Sequence, residues 1–195
     1  MEYTPDYPRF KEEVKEYAPA ISWKAKHLTV VDFGGHRGAS IELFLDTARV
    51  IYAVEPADIN FEVLQEKFGD NPKVKLFKCA ISNTNGTATL LSNPSDGGFS
   101  LKMGSNRGLV TETKTFAKFV EDNDITHIDI LKVDVESAEW SIFNTKGFKD
   151  FAHNIDCVVG EVHGNDNRLF SLFANLGFDI EGDRGIFLAT RKDEV

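Results

Sequence analysis

Short apolar runs alternate along this chain with stretches in which apolar residues recur every three or four positions. The runs Leu28–Phe33, Val50–Val54, Val74–Ala80, His127–Val135 and Ile155–Val162 are rich in Val, Ile and Leu and predict buried strands. Helical spacing lies between them. Ala39–Phe44 continues as helix from Gly38, Phe61, Leu64 and Phe68 form a stripe closed by Gly69, and a helix around Phe116–Val120 precedes strand His127–Val135. Ser137 can cap a helix holding Trp140 and Phe143, while Leu169, Leu172, Phe173 and Leu176 form a last stripe closed by Gly177. Such alternation predicts parallel strands with crossover helices, an α/β fold. Phe178–Glu181, the turn Gly182-Asp183-Arg184-Gly185 and Ile186–Thr190 then predict an antiparallel hairpin.

Two segments fall outside this rhythm. Asp6 and Pro8 open a helix with Phe10, Val14 and Tyr17 on one face, so residues 1–27 read as an N-terminal helical cover on one domain spanning 28–195. Asn83 to Thr111 is polar and rich in Gly, Ser and Asn, with short β-like pieces such as Thr87–Leu91. It is a candidate substrate loop or a plain surface excursion.

Composition narrows the partners. With 22 basic and 31 acidic side chains, the net charge is −9 and the pI about 5.0. That balance argues against a nucleic acid held by phosphate contacts. The start Met1-Glu2-Tyr3-Thr4-Pro5-Asp6 has no apolar core behind a positive flank, so no signal peptide is expected, and no apolar run approaches the roughly 20 residues that span a bilayer. Cys79 and Cys157, each in a predicted strand, read as buried thiols in a reducing cytosol. The expectation is a cytoplasmic protein with a small-molecule substrate and no membrane partner, with a homodimer left open.

The chemistry begins at Val30-Val31-Asp32-Phe33-Gly34-Gly35-His36-Arg37-Gly38, a strand, a glycine turn and a helix start. The glycines permit positive φ and let a ligand lie against the backbone. Val50–Val54 ends in Glu55, placed to bind the hydroxyls of a ribose. Gly34 to Gly38 is not the full dinucleotide fingerprint. Asp32 at the first strand's tip would repel a pyrophosphate but attract the sulfonium and ammonium of S-adenosyl-L-methionine. The alternative for Asp32 is a turn or capping acid.

Strand His127–Val135 carries a second signal. Alternation places Ile128, Ile130, Lys132, Asp134 and Glu136 on one face, which turns charged towards its carboxyl end. Open α/β sheets bind ligands there. The alternative is a Lys132–Asp134 ion pair with Glu136 as a cap. In the next strand, Glu161 and His163 share one face at the tip.

Together these segments resemble the FkbM-type family of S-adenosylmethionine-dependent methyltransferases. The carrying residues are Asp32-Phe33-Gly34-Gly35-His36-Arg37-Gly38, Ala53-Val54-Glu55-Pro56, Cys79-Ala80-Ile81-Ser82 with Asn85-Gly86-Thr87, and above all Ile128 to Glu139 with Gly160-Glu161-Val162-His163. The match runs from about Leu28 to Phe178. It implies a Rossmann-like class I methyltransferase fold, a mostly parallel seven-stranded sheet with helices on both faces and a C-terminal antiparallel hairpin. It implies O-methylation of sugars or other hydroxyl-bearing metabolites. It places Asp32, Gly34 and Gly38 at the methionine moiety, Glu55 at the ribose and the Ala80 region near the adenine. Phe33, Gly35, His36, Pro56, Cys79 and Asp134 complete the expected cofactor site. Ser137 departs from the family's usual Gly, and Thr115-Phe116 from its Leu-Asp.

Methyl transfer to a hydroxyl needs alignment with the methyl carbon and a base for the proton. His163 is the first candidate base and Asp134 the second, with Glu161 orienting the imidazole. Lys132 would hold Asp134 ionised or bind a substrate oxygen, and Glu136 completes the charged set. Asp134, Glu161 and His163 also suit Mg²⁺ or Mn²⁺ by ligand type, but strand-tip acids are common without metal and none is assigned. The competing readings are a NAD-dependent oxidoreductase, disfavoured by Asp32 and the terminal hairpin, and a non-catalytic cofactor-binding homologue.

Overall fold

The computed structural model describes residues 27–92, 99–102, 108–136, 138–162, 167–183 and 185–192. The chain runs through β1 (Leu28–Phe33), α1 (Ala39–Phe44), β2 (Ala48–Val54), α2 (Asp58–Phe68) and β3 (Val74–Phe77). Four strands follow, β4 (Ala80–Ser82), β5 (Gly86–Ser92), β6 (Phe99–Lys102) and β7 (Leu109–Thr115). Then come α3 (Phe116–Asp122), β8 (Ile128–Val133), α4 (Glu139–Phe143), α5 (Lys146–Phe151), β9 (Ile155–Glu161) and α6 (Asn167–Asn175). The hairpin of β10 (Phe178–Asp183) and β11 (Ile186–Arg191) follows.

The main sheet has seven strands in the order β3-β2-β1-β8-β9-β11-β10. β1 is buried along its whole length, as a central strand covered on both faces must be. It pairs in parallel with β2 on one side and β8 on the other, so the strand order reverses beside it. Open α/β sheets bind their ligands at the carboxyl ends of the strands beside such a reversal. Among the described residues, the antiparallel pairings of this sheet are those of β11 with β9 and with β10. This is the expected α/β sheet with its antiparallel terminal hairpin.

Alternation along β1 divides the core. Val30 packs with Ile41, Phe44, Leu64 and Phe68 of α1 and α2 on one face. Val31 and Phe33 join the helices of the other face, α3 to α6, through Phe116, Phe119, Phe143 and Phe173. The rings meet edge to face, Phe33 with Phe119 at 5.4 Å and Phe143 with Phe173 at 4.9 Å between centroids. Edge-to-face contact adds to the large apolar area such rings bury. No helix among the described residues is long and apolar enough to cross a membrane.

The structure corrects several boundaries. The run Val74–Ala80 is not one strand. Val74–Phe77 ends the main sheet, and Ala80–Ser82 pairs with β7 in a separate four-stranded sheet of order β4-β7-β5-β6. Cys79 therefore lies in the bend between two strands, still buried, whereas Cys157 sits in β9 as expected. Most of the described residues of the expected loop 83–111 belong to that second sheet. Small or polar residues are buried in β5 and β7 at Ala88, Thr89, Thr111 and Thr113, beside the apolar Leu90, and they hide the strand period. Strand His127–Val135 is shorter, ending at Val133, and α5 was not foreseen. The N-terminal cover and the Ser137 cap lie outside the described residues.

Candidate functional site

The glycine turn links three strand tips. Gly34 (φ +87°), His36 (φ +45°) and Gly38 (φ +90°) all take the left-handed backbone that glycine adopts without cost. A Cβ on Gly34 would stand 1.9 Å from the carbonyl oxygen of Asp134, so a side chain there would drive the turn off β8. The Asp134 N–H donates to the Phe33 carbonyl at 3.0 Å, and the N–H groups of Gly34 and Gly35 both donate to the Val54 carbonyl at 3.0 Å. β1, β2 and β8 are thereby pinned around one bend. At its far end Gly38 leads into α1, close against Phe68.

Beneath the turn lies a buried charge cluster. Asp32 is fully buried; its Oδ2 accepts the Ser40 hydroxyl at 2.5 Å, and its Oδ1 lies 3.2 Å from Lys132 Nζ. The same ammonium donates to the Gly34 carbonyl at 2.5 Å and stands 3.9 Å from Asp134 Oδ2. The Lys132 side chain is only 4 % exposed, whereas that of Asp134 is 29 % exposed. Lys132 thus sits closer to Asp32 than to the Asp134 partner foreseen for it, and its burial leaves no path to a substrate oxygen.

Glu55 stands at the tip of β2, 5 % exposed. Its Oε2 accepts the His36 N–H at 2.9 Å, and its Oε1 accepts the Ala57 N–H at 2.9 Å and the Asn60 side-chain amide at 3.4 Å. Burial pushes the Glu55 carboxyl above the usual range, against the pull of those donors. Burial also drives His36 down to about 4, helped by Arg37 and Lys132 and opposed by Asp134, so its imidazole is neutral near pH 7.

The expected residues therefore divide. Asp32, Gly34, Gly35, His36, Gly38, Glu55, Lys132 and Asp134 come together around the turn. Phe33 offers it backbone only, because its ring is in the aromatic core. Pro56 follows Glu55 and is half-buried; Cys79 and Ala80 are buried at the start of β4, and burial pushes the Cys79 thiol up to about 11. Glu136 does not continue the strand's alternation, since β8 has ended and its φ is +52°. Glu161 is the last residue of β9 and half-buried. His163 lies outside the described residues. The described groups close enough to share a cation are instead His127, Asp129 and Asp156, at the amino ends of β8 and β9. Sequence reasoning missed Ser40 and Asn60. Each is a buried polar residue in the first turn of a helix, a signal legible once the acid before it is taken as its partner.

A glycine turn at the switch point of a seven-stranded sheet, with an acid at each adjoining tip and the antiparallel β11 beside β9, is the arrangement of the class I methyltransferase fold. The chain belongs to the family of the methyltransferase FkbM domain, whose model matches residues 32–180. No curated protein matches it in sequence. Among solved structures, it is similar to magnesium protoporphyrin IX methyltransferase from Synechocystis with bound S-adenosylmethionine, at 11 % identity and a TM-score of 0.55, over 98 % of this chain and 87 % of that one. A candidate tRNA methyltransferase from Streptococcus pneumoniae, in complex with S-adenosyl-L-methionine, shares 11 % identity at a TM-score of 0.53, over 93 % and 74 % of the two chains. A candidate RNA methyltransferase from Pyrococcus horikoshii gives 15 % and 0.51, over 93 % and 81 %. At these identities the likeness is one of fold.

Proposed function

We propose that this methyltransferase moves the methyl group of S-adenosyl-L-methionine to a hydroxyl of a sugar or another small metabolite. The observation that carries the reading is the carboxylate of Asp134, the most exposed acid of the turn cluster, at the carboxyl ends of the neighbouring strands β1 and β8. A site built to seat a phosphate would set cations or free backbone N–H groups there. Here the nearest N–H groups, those of Gly34, Gly35 and His36, are taken by Val54 and Glu55.

The turn would bear the methionine end of the donor, and Glu55 the ribose. Three of the roughly four lone-pair directions on a carboxylate are used in Glu55, which leaves it able to accept one further hydroxyl. In the transfer, the acceptor oxygen forms a bond to the methyl carbon as the carbon–sulfur bond breaks. The electron pair stays on sulfur, and the hydroxyl proton goes to a base. His163 is that base and Glu161, two residues earlier, orients its imidazole. This reading assigns no resident metal, and EDTA should then leave activity intact. The segment Asp134-Val135-Glu136-Ser137 lacks the paired prolines usual for transfer to amino groups of bases, and a net charge of −9 suits no polyanionic acceptor.

Methyl-labelled donor with a panel of glycosides, small alcohols and tRNA tests the reading. Label should enter a hydroxylated small molecule and not the RNA. Transfer to RNA alone would overturn the acceptor class while leaving the donor intact.

A further inference from the structure

The carboxylates flanking the glycine turn are not equivalent. The family resemblance puts Asp32 at the methionine end of the cofactor. The geometry points to Asp134 instead as the residue that holds the cofactor's α-ammonium, with Asp32 and Lys132 beneath it as a buried platform. This assignment rests on the reading of the chain as an S-adenosylmethionine-dependent enzyme.

Asp32 has no surface to offer a ligand. It is fully buried, one oxygen is taken by Ser40, and the other faces Lys132. Lys132 is equally enclosed, among Asp32, the Gly34 carbonyl and Asp134. Among these three described side chains one cation faces two carboxylates, so the trio carries a net negative charge. That charge falls on Asp134, which is farther from the ammonium and is the member that reaches solvent. Glu55, the remaining acid of the turn, is buried and already accepts three donors.

Position agrees with charge. The Asp134 backbone is in van der Waals contact with Gly34 and is bonded to Phe33, so its carboxylate is fixed relative to the turn. Ligands of open α/β sheets lie over such a turn, outside the strand ends. A primary ammonium there would form a charge-assisted hydrogen bond to Asp134. Lys132 is then a positioning residue, since it holds Asp134 on one side and the Gly34 carbonyl on the other. With Asp134 engaged by the donor, the proton of the acceptor is left to His163.

Titration calorimetry of the full chain with two probes tests the assignment. S-adenosylhomocysteine carries the amino-acid end; 5′-methylthioadenosine keeps the nucleoside and thioether but lacks it. The wild type should prefer the former. Asp134→Asn should lose about tenfold or more of the S-adenosylhomocysteine affinity, as loss of a hydrogen bond between charged groups gives, and bind 5′-methylthioadenosine about as the wild type does. Asp32→Asn should lower the melting temperature yet keep the preference between probes. Should that variant not fold, Asp32→Asn with Lys132→Met removes both buried charges together and should keep the preference. Wild-type affinity for S-adenosylhomocysteine in Asp134→Asn would overturn the assignment. So would an equal loss on both probes, or a preference lost with Asp32 rather than Asp134. If the wild type binds neither probe, the donor reading itself fails, a result none of the other outcomes resembles.

Discussion

Glu55 serves two masters. It holds the turn through the His36 N–H and the start of α2 through the Ala57 N–H and Asn60, and it faces the expected ribose. Glu55→Ala should therefore weaken S-adenosylhomocysteine binding by about 1–3 kcal/mol in calorimetry, and should also lower the melting temperature because its donors lose their acceptor. Unchanged affinity would refute the ribose role. The role proposed for His163 is chemistry rather than binding. His163→Ala should keep cofactor affinity within a few-fold but reduce methyl transfer by roughly a hundredfold or more, and should lose the limb of the pH–rate profile that rises with the imidazole's deprotonation. His36 makes a separate prediction for stability. Its folded value of about 4 lies below the ordinary 6.5, so the unfolded chain takes up the proton first. The stability it contributes is full above pH 6.5 and is lost as pH falls towards 4. Glu55, raised by burial, runs the opposite way, losing stability as pH rises through its folded value. The difference between wild type and His36→Asn in urea melts across pH 7 to 4 isolates the histidine, because asparagine tolerates its left-handed backbone. Parallel curves for the two proteins would contradict the assignment.

At the scale of elements, the glycine turn is the joint on which the site depends. Gly34→Ala adds a methyl group against the Asp134 carbonyl at a left-handed φ, a clash with backbone rather than with a yielding side chain. The turn should separate from β8, with S-adenosylhomocysteine binding abolished and stability lowered by at least about 1–2 kcal/mol. Retained binding would show that the turn need not touch β8. This joint was legible in the sequence, because an apolar run ending in an acid and then glycines admits few local structures. The second sheet was not. Ala88, Thr111 and Thr113 bury themselves through small side chains, so the alternation that marks β5 and β7 is weak in hydrophobicity. The break after Phe77 was equally hidden, since Cys79, Ala80 and Ile81 continue an apolar run across a change of sheet.

For the whole molecule, the alternation of strand and helix and the terminal hairpin were enough to anticipate the sheet. Which strands adjoin was not in the pattern, and neither was the pairing of Lys132 with Asp32. Residues 100 positions apart meet only because β8 lies beside β1, as when the Thr29 N–H donates to Asp129 Oδ2 at 2.8 Å. Parity placed Lys132, Asp134 and Glu136 on one face; the strand's end at Val133 and the positive φ of Glu136 limit that set to the first two. The central claim is that the glycine turn receives an adenosyl sulfonium donor and not a dinucleotide. Thermal melts with S-adenosylhomocysteine and with NAD test it directly. At a hundredfold excess over its Kd, S-adenosylhomocysteine should add about 2.7 kcal/mol of stability and raise the melting temperature, while NAD should leave it unchanged. A rise with NAD and none with S-adenosylhomocysteine would contradict the account.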